Sequence, residues 1–270
     1  MDMTTSGIRD LDVSRPNSAR IYDYMIGGTH HYAIDRAHGQ KSLEILPNAA
    51  WLCQENRKWL QRSVRYAAEH GIDQFLDLGS GMPSTGHVHE VVHAVNPDAR
   101  VVYVDNEPVA VAHSEIMLDE VDNAAMVAED LRDPAAVLDH PTTRDMLDLE
   151  RPIMVVMAAV LHFVAPEDEP RGIIEGYTWD LAPGSLLAIS HDSGDDQGEN
   201  LREVVDLYKD TTNPVFLRSR EEVRELLAGW ELVEPGVVWT PQWRPDDPGA
   251  VPENPEQAVM YAAVGRKPAP

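Results

Sequence analysis

The sequence predicts an α/β protein: a doubly wound, mostly parallel sheet behind a helical N-terminal cover. Three observations predict it. From Gly71 onward, short and nearly continuous apolar runs alternate with amphipathic segments, as in buried parallel strands joined by helical crossovers. One of those runs, Phe75-Leu76-Asp77-Leu78, passes directly into the glycine turn Gly79-Ser80-Gly81. The first seventy residues, in contrast, carry helical spacing and no strand-like run.

Each element follows in order. Residues 1–15 read as a flexible lead-in, and residues 16–270 as a single domain with a cover at 16–70 and a core at 71–268. Asn17 is placed to cap a helix through Ile21 and Met25, which the Gly27-Gly28 pair ends. A second helix spans Ile34 to Leu46 and stops before Pro47. Asn48 is expected to cap a long helix to His70, with Gly71 as its stop. Leu52, Trp59, Leu60, Val64 and Ala67 form its core stripe, while Arg57, Lys58, Arg62 and Arg65 fall mostly elsewhere on its surface. Strands are expected at Gln74–Leu78, Arg100–Val104, Ala124–Ala128, Ile153–Ala159 and Ser185–Ser190. The helices between them are His87–Val95, Pro108–Leu118, Pro134–Leu138 and Glu167–Leu181. Helices at Glu199–Tyr208 and Ser219–Leu227 come next, and strands Trp230–Trp239 and Ala258–Gly265 bring the sheet to seven. A loop rich in proline and aspartate, Pro241–Pro255, joins these last two strands, so they should pair antiparallel. The cover carries Tyr22, Tyr24, Trp51 and Trp59 and is too small for a large core of its own. It should pack on the sheet and roof its carboxyl edge.

Composition narrows the function classes. The chain of 270 residues has a formal net charge of -24, a field that repels nucleic-acid phosphates and anionic lipid headgroups. A small neutral or cationic molecule, or a basic protein, fits this field better, and the expected partner is a small molecule, with neither nucleic acid nor membrane. Cys53 is the only cysteine, which excludes an intramolecular disulfide and a cysteine metal cluster. The acidic N-terminus does not read as a signal peptide, and no run is long enough to span a membrane, so the expected location is cytoplasmic.

Acidic residues at successive strand ends carry the chemistry. Asp77 precedes the Gly79–Gly81 turn, where the backbone can approach a ligand closely. The third glycine of a dinucleotide fingerprint is missing, since Met82, Pro83 and Ser84 follow Gly81. Asp105 ends the second strand 24 residues after Gly81, where an acid can accept hydrogen bonds from both ribose hydroxyls. The lesser alternative is that it simply caps the helix that opens near Pro108. Asp130, after the third strand, could accept from an adenine amino group or could be an ordinary loop charge.

These features, together with Tyr22-Asp23-Tyr24-Met25-Ile26-Gly27-Gly28, Asp130-Leu131-Arg132-Asp133-Pro134 and Ala158–Pro166, resemble the actinobacterial S-adenosyl methyltransferase family. That family lies within the class I S-adenosylmethionine-dependent methyltransferases and was first catalogued as a domain of unknown function. The resemblance runs from about Pro16 to Lys267. It implies a seven-stranded, Rossmann-like methyltransferase core with S-adenosylmethionine as cofactor. Gly79 and Gly81 would lie against its methionine part, Asp105 would hold the ribose with Asn106 beside the adenine, and Asp130 and Leu131 would flank the adenine. Tyr22, Tyr24 and the Gly27-Gly28 turn would close over the site as a lid. The chain departs from the family pattern at Thr29-His30-His31, where a lysine and an acid or amide are expected.

His162 and His191 fall at the carboxyl edge and are the candidate general bases, although a hydrogen-bonded structural histidine is the alternative for each. His87, His89 and His93 lack an obvious third ligand type and read as solvated surface residues rather than a metal site. The expected activity is methyl transfer to a small-molecule acceptor. The alternative is an S-adenosylmethionine-binding sensor or partner-binding protein without turnover.

Overall fold

The computed structural model describes residues 13–84, 86–195 and 198–269, so most of the expected flexible lead-in lies outside the described residues. Three helices come first. α1 (Ser18–Met25) begins where the Asn17 side chain accepts hydrogen bonds from the Ala19 and Arg20 amides at 2.9 and 3.4 Å. It ends where the Gly28 amide donates to the Asp23 carbonyl at 2.8 Å. α2 (Ala33–Ile45) stops ahead of Pro47, and α3 (Ala49–Glu69) runs to His70 and Gly71. Asn48 stands at the N-cap position of α3 as expected, but its side chain makes no capping bond; its amide donates instead to the Gln257 carbonyl at 2.9 Å, tying the helix start to a distant loop.

The core then alternates as expected: β1 (Gln74–Leu78), α4 (Val88–His93), β2 (Arg100–Val104), α5 (Pro108–Leu118), β3 (Ala124–Val127), α6 (Pro134–Leu138), α7 (Pro141–Met146), β4 (Met154–Ala158), α8 (Pro170–Thr178), β5 (Leu186–Asp192), α9 (Gly198–Tyr208), α10 (Arg220–Leu226), β6 (Glu231–Leu232), β7 (Val238–Trp239) and β8 (Met260–Arg266). The strand order is β3-β2-β1-β4-β5-β8-β6, with β7 also on β8. The first five strands are mutually parallel, and β8 runs antiparallel to β5, β6 and β7. The order reverses between β1 and β4, which opens a crevice at their carboxyl ends.

Four local differences from the sequence reading have physical causes. The strand expected at Trp230–Trp239 is split into β6 and β7, because Pro235 has no amide to give to a ladder; this raises the count from seven strands to eight. The helix expected from Glu167 begins only at Pro170, after a separate 3-10 turn at Pro166–Asp168. Helix α7 opens on Pro141 in a stretch too short for a periodic signal. The loop between β7 and β8 is not simply exposed: Trp243 is fully buried there, and Arg62 of α3 donates to the Trp243 and Thr240 carbonyls at 3.0 and 2.7 Å.

Alternate residues of each strand feed the two faces of the sheet. Phe75, Val101 and Met154 join Trp59, Val64 and Ala67 of α3 and Val88 and Val92 of α4. Leu76, Val102 and Val155 join Ile173, Ile174 and Tyr177 of α8. Thus α3, assigned to the cover, is also a layer of the core. No helix among the described residues is long and apolar enough to cross a membrane.

Arg20 fixes the cover to the core. Its guanidinium is buried, pairs with Asp35 at 2.9 Å through Nε, pairs with Glu107 through Nη1, and donates through Nη2 to the Arg15 carbonyl at 2.9 Å. Glu107 in turn accepts from the Ala110 amide at 2.7 Å and so caps α5. Removing one partner from such a buried network strands the others in low dielectric. Arg20→Met should therefore cost about 3–5 kcal/mol of unfolding free energy, measured by urea denaturation; a loss below about 1 kcal/mol would contradict the role given to this network.

Candidate functional site

A cavity of about 300 Å³ opens at the carboxyl ends of β1, β2, β4 and β5, beneath α1 and α3. That size suits a small molecule. Asp77, Gly79, Gly81, Asp105, Asn106, Asp130 and Leu131 all line it, as do Tyr22 and His162.

The glycine turn is shaped by two close constraints. Gly79 has φ +72°, and a Cβ there would come within 2.3 Å of the Val160 side chain. Gly81 has φ +69°, and its amide donates to Asp105 at 2.8 Å. Only glycine adopts these torsions without strain. The other Asp105 oxygen accepts from the Glu107 amide at 2.9 Å, so Asp105 organises the turn after β2 while Glu107 is the residue that caps α5.

The acids differ in electrostatic character. Burial pushes the Asp77 carboxyl up to about 7, with the nearby Asp105 charge adding to the shift and Arg57 opposing it. Burial likewise raises Asp105, against the amides it accepts from. At Asp130 partial burial works against ionisation, but the Arg132 guanidinium and amide hold the carboxyl below its ordinary range. Asn106 donates to the same carboxylate at 3.1 Å, which joins the ends of β2 and β3.

Several expected site residues lie elsewhere. Tyr24 does not line the cavity; its ring packs over Gly39 of α2 and meets the His31 ring edge-on at 5.2 Å. Gly27 and Gly28 also stay outside it and serve the α1 stop, with Gly28 against the buried Asp23 carboxylate. That carboxylate accepts from the His30 amide and meets His31 Nδ1, both at 2.8 Å. The departure at Thr29-His30-His31 is therefore a brace for the turn, and none of its three residues reaches the cavity. Of the proposed lid only Tyr22 remains, its hydroxyl donating to the Cys53 carbonyl at 2.9 Å and accepting from Asn56 at 3.1 Å.

Neither histidine is suited to remove a proton. His191 is fully buried and outside the cavity; Nδ1 donates to the Asp192 carbonyl at 2.8 Å and Nε2 accepts from Arg218 at 2.7 Å, so its lone pair is already engaged. His162 does line the cavity, but burial, with Arg218 nearby, drops it to about 3. His87 and His89 are buried rather than solvated, while His93 is half-buried. His87 accepts from the Ser84 amide, His89 pairs with the Tyr103 hydroxyl at 2.8 Å, and His93 reaches the Ala99 carbonyl at 2.8 Å.

Two residues that sequence reasoning passed over belong to the cavity. Arg57 of α3 lines it, and its Nε is buried with no hydrogen-bond partner. Its spacing from Cys53, Asn56 and Leu60, all on the cavity side, was the available signal. Asp192, the last residue of β5, also lines the cavity. The enclosure pushes its carboxyl up to about 7, although its side chain keeps 25% of its surface open to the space. His162 Nδ1 lies 3.5 Å from its Oδ2. Position at the carboxyl end of a parallel strand was the signal here.

Comparison with known proteins follows the same lines. A family model described as S-adenosyl methyltransferase matches residues 4–268. A solved DUF574-family protein from Streptomyces avermitilis MA-4680 is 39% identical with TM-score 0.92, over 96% of this chain and 100% of that one. A Thermobifida fusca YX protein, provisionally described as a methyltransferase, is 38% identical with TM-score 0.89, over 96% and 97%. An O-methyltransferase family protein of Burkholderia thailandensis shares the fold, at 15% identity and TM-score 0.53 over 82% of this chain and 58% of that one. No curated protein matches.

The raised Asp77 carboxyl makes stability pH-dependent. The folded chain keeps a proton that the unfolded chain releases, since the carboxyl titrates at about 7 when folded against 3.8 as a free group. Its contribution is therefore full at low pH and is lost as pH rises through about 7. Asp77→Asn, which never ionises, should gain stability relative to the native chain as pH rises between about 5 and about 7, by at most about 1.4 kcal/mol per pH unit. Denaturation curves across that range test it, and a pH-independent difference would contradict the assignment.

Proposed function

The chain belongs to the S-adenosyl methyltransferase family, and on that footing we propose that its cavity holds S-adenosylmethionine next to a small-molecule methyl acceptor. The observation that carries this reading is the buried, unpartnered Nε of Arg57, in the same cavity as three acids at the ends of β1, β2 and β3. A buried guanidinium nitrogen with an unmet donor, on a cationic side chain, calls for an anion, and a free carboxylate supplies one.

The residues fit the parts of the cofactor in order. Arg57 suits the methionyl carboxylate and Asp77 the ammonium, a zwitterion matched by opposite charges. The Gly79–Gly81 turn leaves room for the methionyl chain, since no Cβ stands on either glycine. Asp105 keeps acceptor capacity beyond its two amide contacts, enough for ribose hydroxyls. Asn106 and Asp130 form the polar edge for adenine, with Leu131 as its apolar flank. Tyr22 also lines the cavity, and an aromatic ring there suits a cation. S-adenosylmethionine supplies, when bound, a methyl group activated on a sulfonium sulfur. The protein's own contribution is positioning and the exclusion of water by α1 and α3.

The limited cavity and its helical roof favour a small acceptor over a macromolecular one. Calorimetry with S-adenosylmethionine and S-adenosylhomocysteine tests the reading. One molecule of either should bind per chain, and Arg57→Met and Asp105→Asn should each weaken binding by about 2 kcal/mol, roughly thirtyfold. Absence of binding, or native affinity in both folded variants, would overturn it.

A further inference from the structure

Of the five acids at the cofactor end of the cavity or on its rim, three have a cation of their own, and Glu129 is a half-exposed residue next to Asp130. Glu107 pairs with Arg20, Asp130 with Arg132, and Asp77 lies in the field of Arg57. Asp105 is met by two backbone amides. Asp192 has no such partner. Among the described residues its only ion-pair neighbour is His162, a ring that burial keeps neutral. Its charge is felt by the Tyr22 and Tyr208 hydroxyls and the Cys53 thiol, all raised chiefly by burial, and none of these supplies a positive charge.

The walls beyond Asp192 are apolar. Met25 of α1, Leu52 of α3, Leu201, Val205 and Tyr208 of α9, and Val259 meet there, packed in one cluster that also lines the cavity. This compartment is away from the Gly79–Gly81 turn in the strand order, across β4. A carboxylate facing apolar walls without a counter-cation is costly unless a ligand brings the charge. The surrounding field, at a net charge of -24, draws cations toward the protein.

The geometry points to an amine as the acceptor: a primary or secondary amine on an apolar, ring-bearing body, whose nitrogen is received by Asp192. This rests on the methyltransferase reading and names its substrate class. The ammonium form pairs with the Asp192 carboxylate on entry. One N–H proton then passes to Asp192, which frees the nitrogen lone pair and leaves both groups neutral. That lone pair forms the new N–C bond as the methyl's bond to sulfur breaks, with sulfur keeping the electron pair. The nitrogen takes up the positive charge, and the proton on Asp192 leaves to solvent when the product departs. A hydroxyl acceptor would bring no charge to the carboxylate, and passing its proton to Asp192 would only move the uncompensated negative charge onto a more basic alkoxide in the same compartment. His162 Nδ1 accepts from the Asp192 backbone amide at 3.4 Å, which ties down the strand end that carries this carboxylate.

The test uses the full chain saturated with S-adenosylhomocysteine and matched probe pairs: benzylamine with benzyl alcohol, phenethylamine with 2-phenylethanol, and tryptamine with tryptophol. Affinities are measured by calorimetry up to the solubility of each probe. The expected result is that at least one amine saturates and binds roughly tenfold or more tightly than its alcohol. Asp192→Asn should erase that preference while leaving the alcohol's affinity unchanged, and retained S-adenosylhomocysteine binding reports that the variant is folded. The wild-type pair comparison stands alone if the variant does not fold. Equal or tighter alcohol binding, no saturable amine, or an unchanged preference in the folded variant overturns the inference. Failure of S-adenosylhomocysteine to bind the native chain would instead overturn the reading of the site beneath it.

Discussion

Arg20 is one buried cation held between two buried carboxylates, Asp35 in the cover and Glu107 at the turn after β2. Burial of this kind is tolerated because each group is multiply hydrogen-bonded: Asp35 also accepts from the Asn17 and Tyr32 amides at 3.0 and 2.9 Å. The geometry leaves little freedom. Moving α1 would break contacts to α2 and to the segment that carries Asp105 at once. The roof of the cavity and the turn that presents its central acid are therefore set by the same side chain.

A second chain of hydrogen bonds fixes the other end. The Ser190 hydroxyl of β5 donates to Asn56 of α3 at 2.6 Å and accepts from the Ala159 amide at 2.9 Å, and Asn56 donates to Tyr22 of α1 at 3.1 Å. Sheet, layer helix and roof meet within four residues. In this arrangement the Gly27-Gly28 turn stands outside the cavity. Asp23, buried beneath it, is held by His30 and His31, and the turn is part of a braced corner.

The five parallel strands were legible because a strand buried on both faces must be apolar along its whole length, which leaves a local trace. The antiparallel end was legible from loop length, although Pro235 divided one of its strands. Asp77, Gly79, Gly81, Asp105, Asn106, Asp130 and Leu131 were legible because strand ends and glycine turns bring them to the same edge through local chain geometry. What remained hidden depends on the third dimension. Arg57 and Arg62 read as surface charges on an amphipathic helix, yet one enters the cavity and the other holds a buried loop. His191 and His162 stand at the expected edge, but their basicity is set by Arg218 and burial, from elements distant in sequence. Asp192 was hidden for the converse reason: what distinguishes it is the lack of a nearby cation.

The central claim is that α1 and α3 roof a single cavity whose two ends bind the cofactor and its acceptor. A crystal structure with S-adenosylhomocysteine bound measures it most directly. The account predicts the amino-acid carboxylate on Arg57, the ribose on Asp105, and the sulfur facing the apolar compartment that holds Asp192. A molecule bound outside the roof, or one whose sulfur faces away from Asp192 with Arg57 Nε still unpartnered, would contradict it.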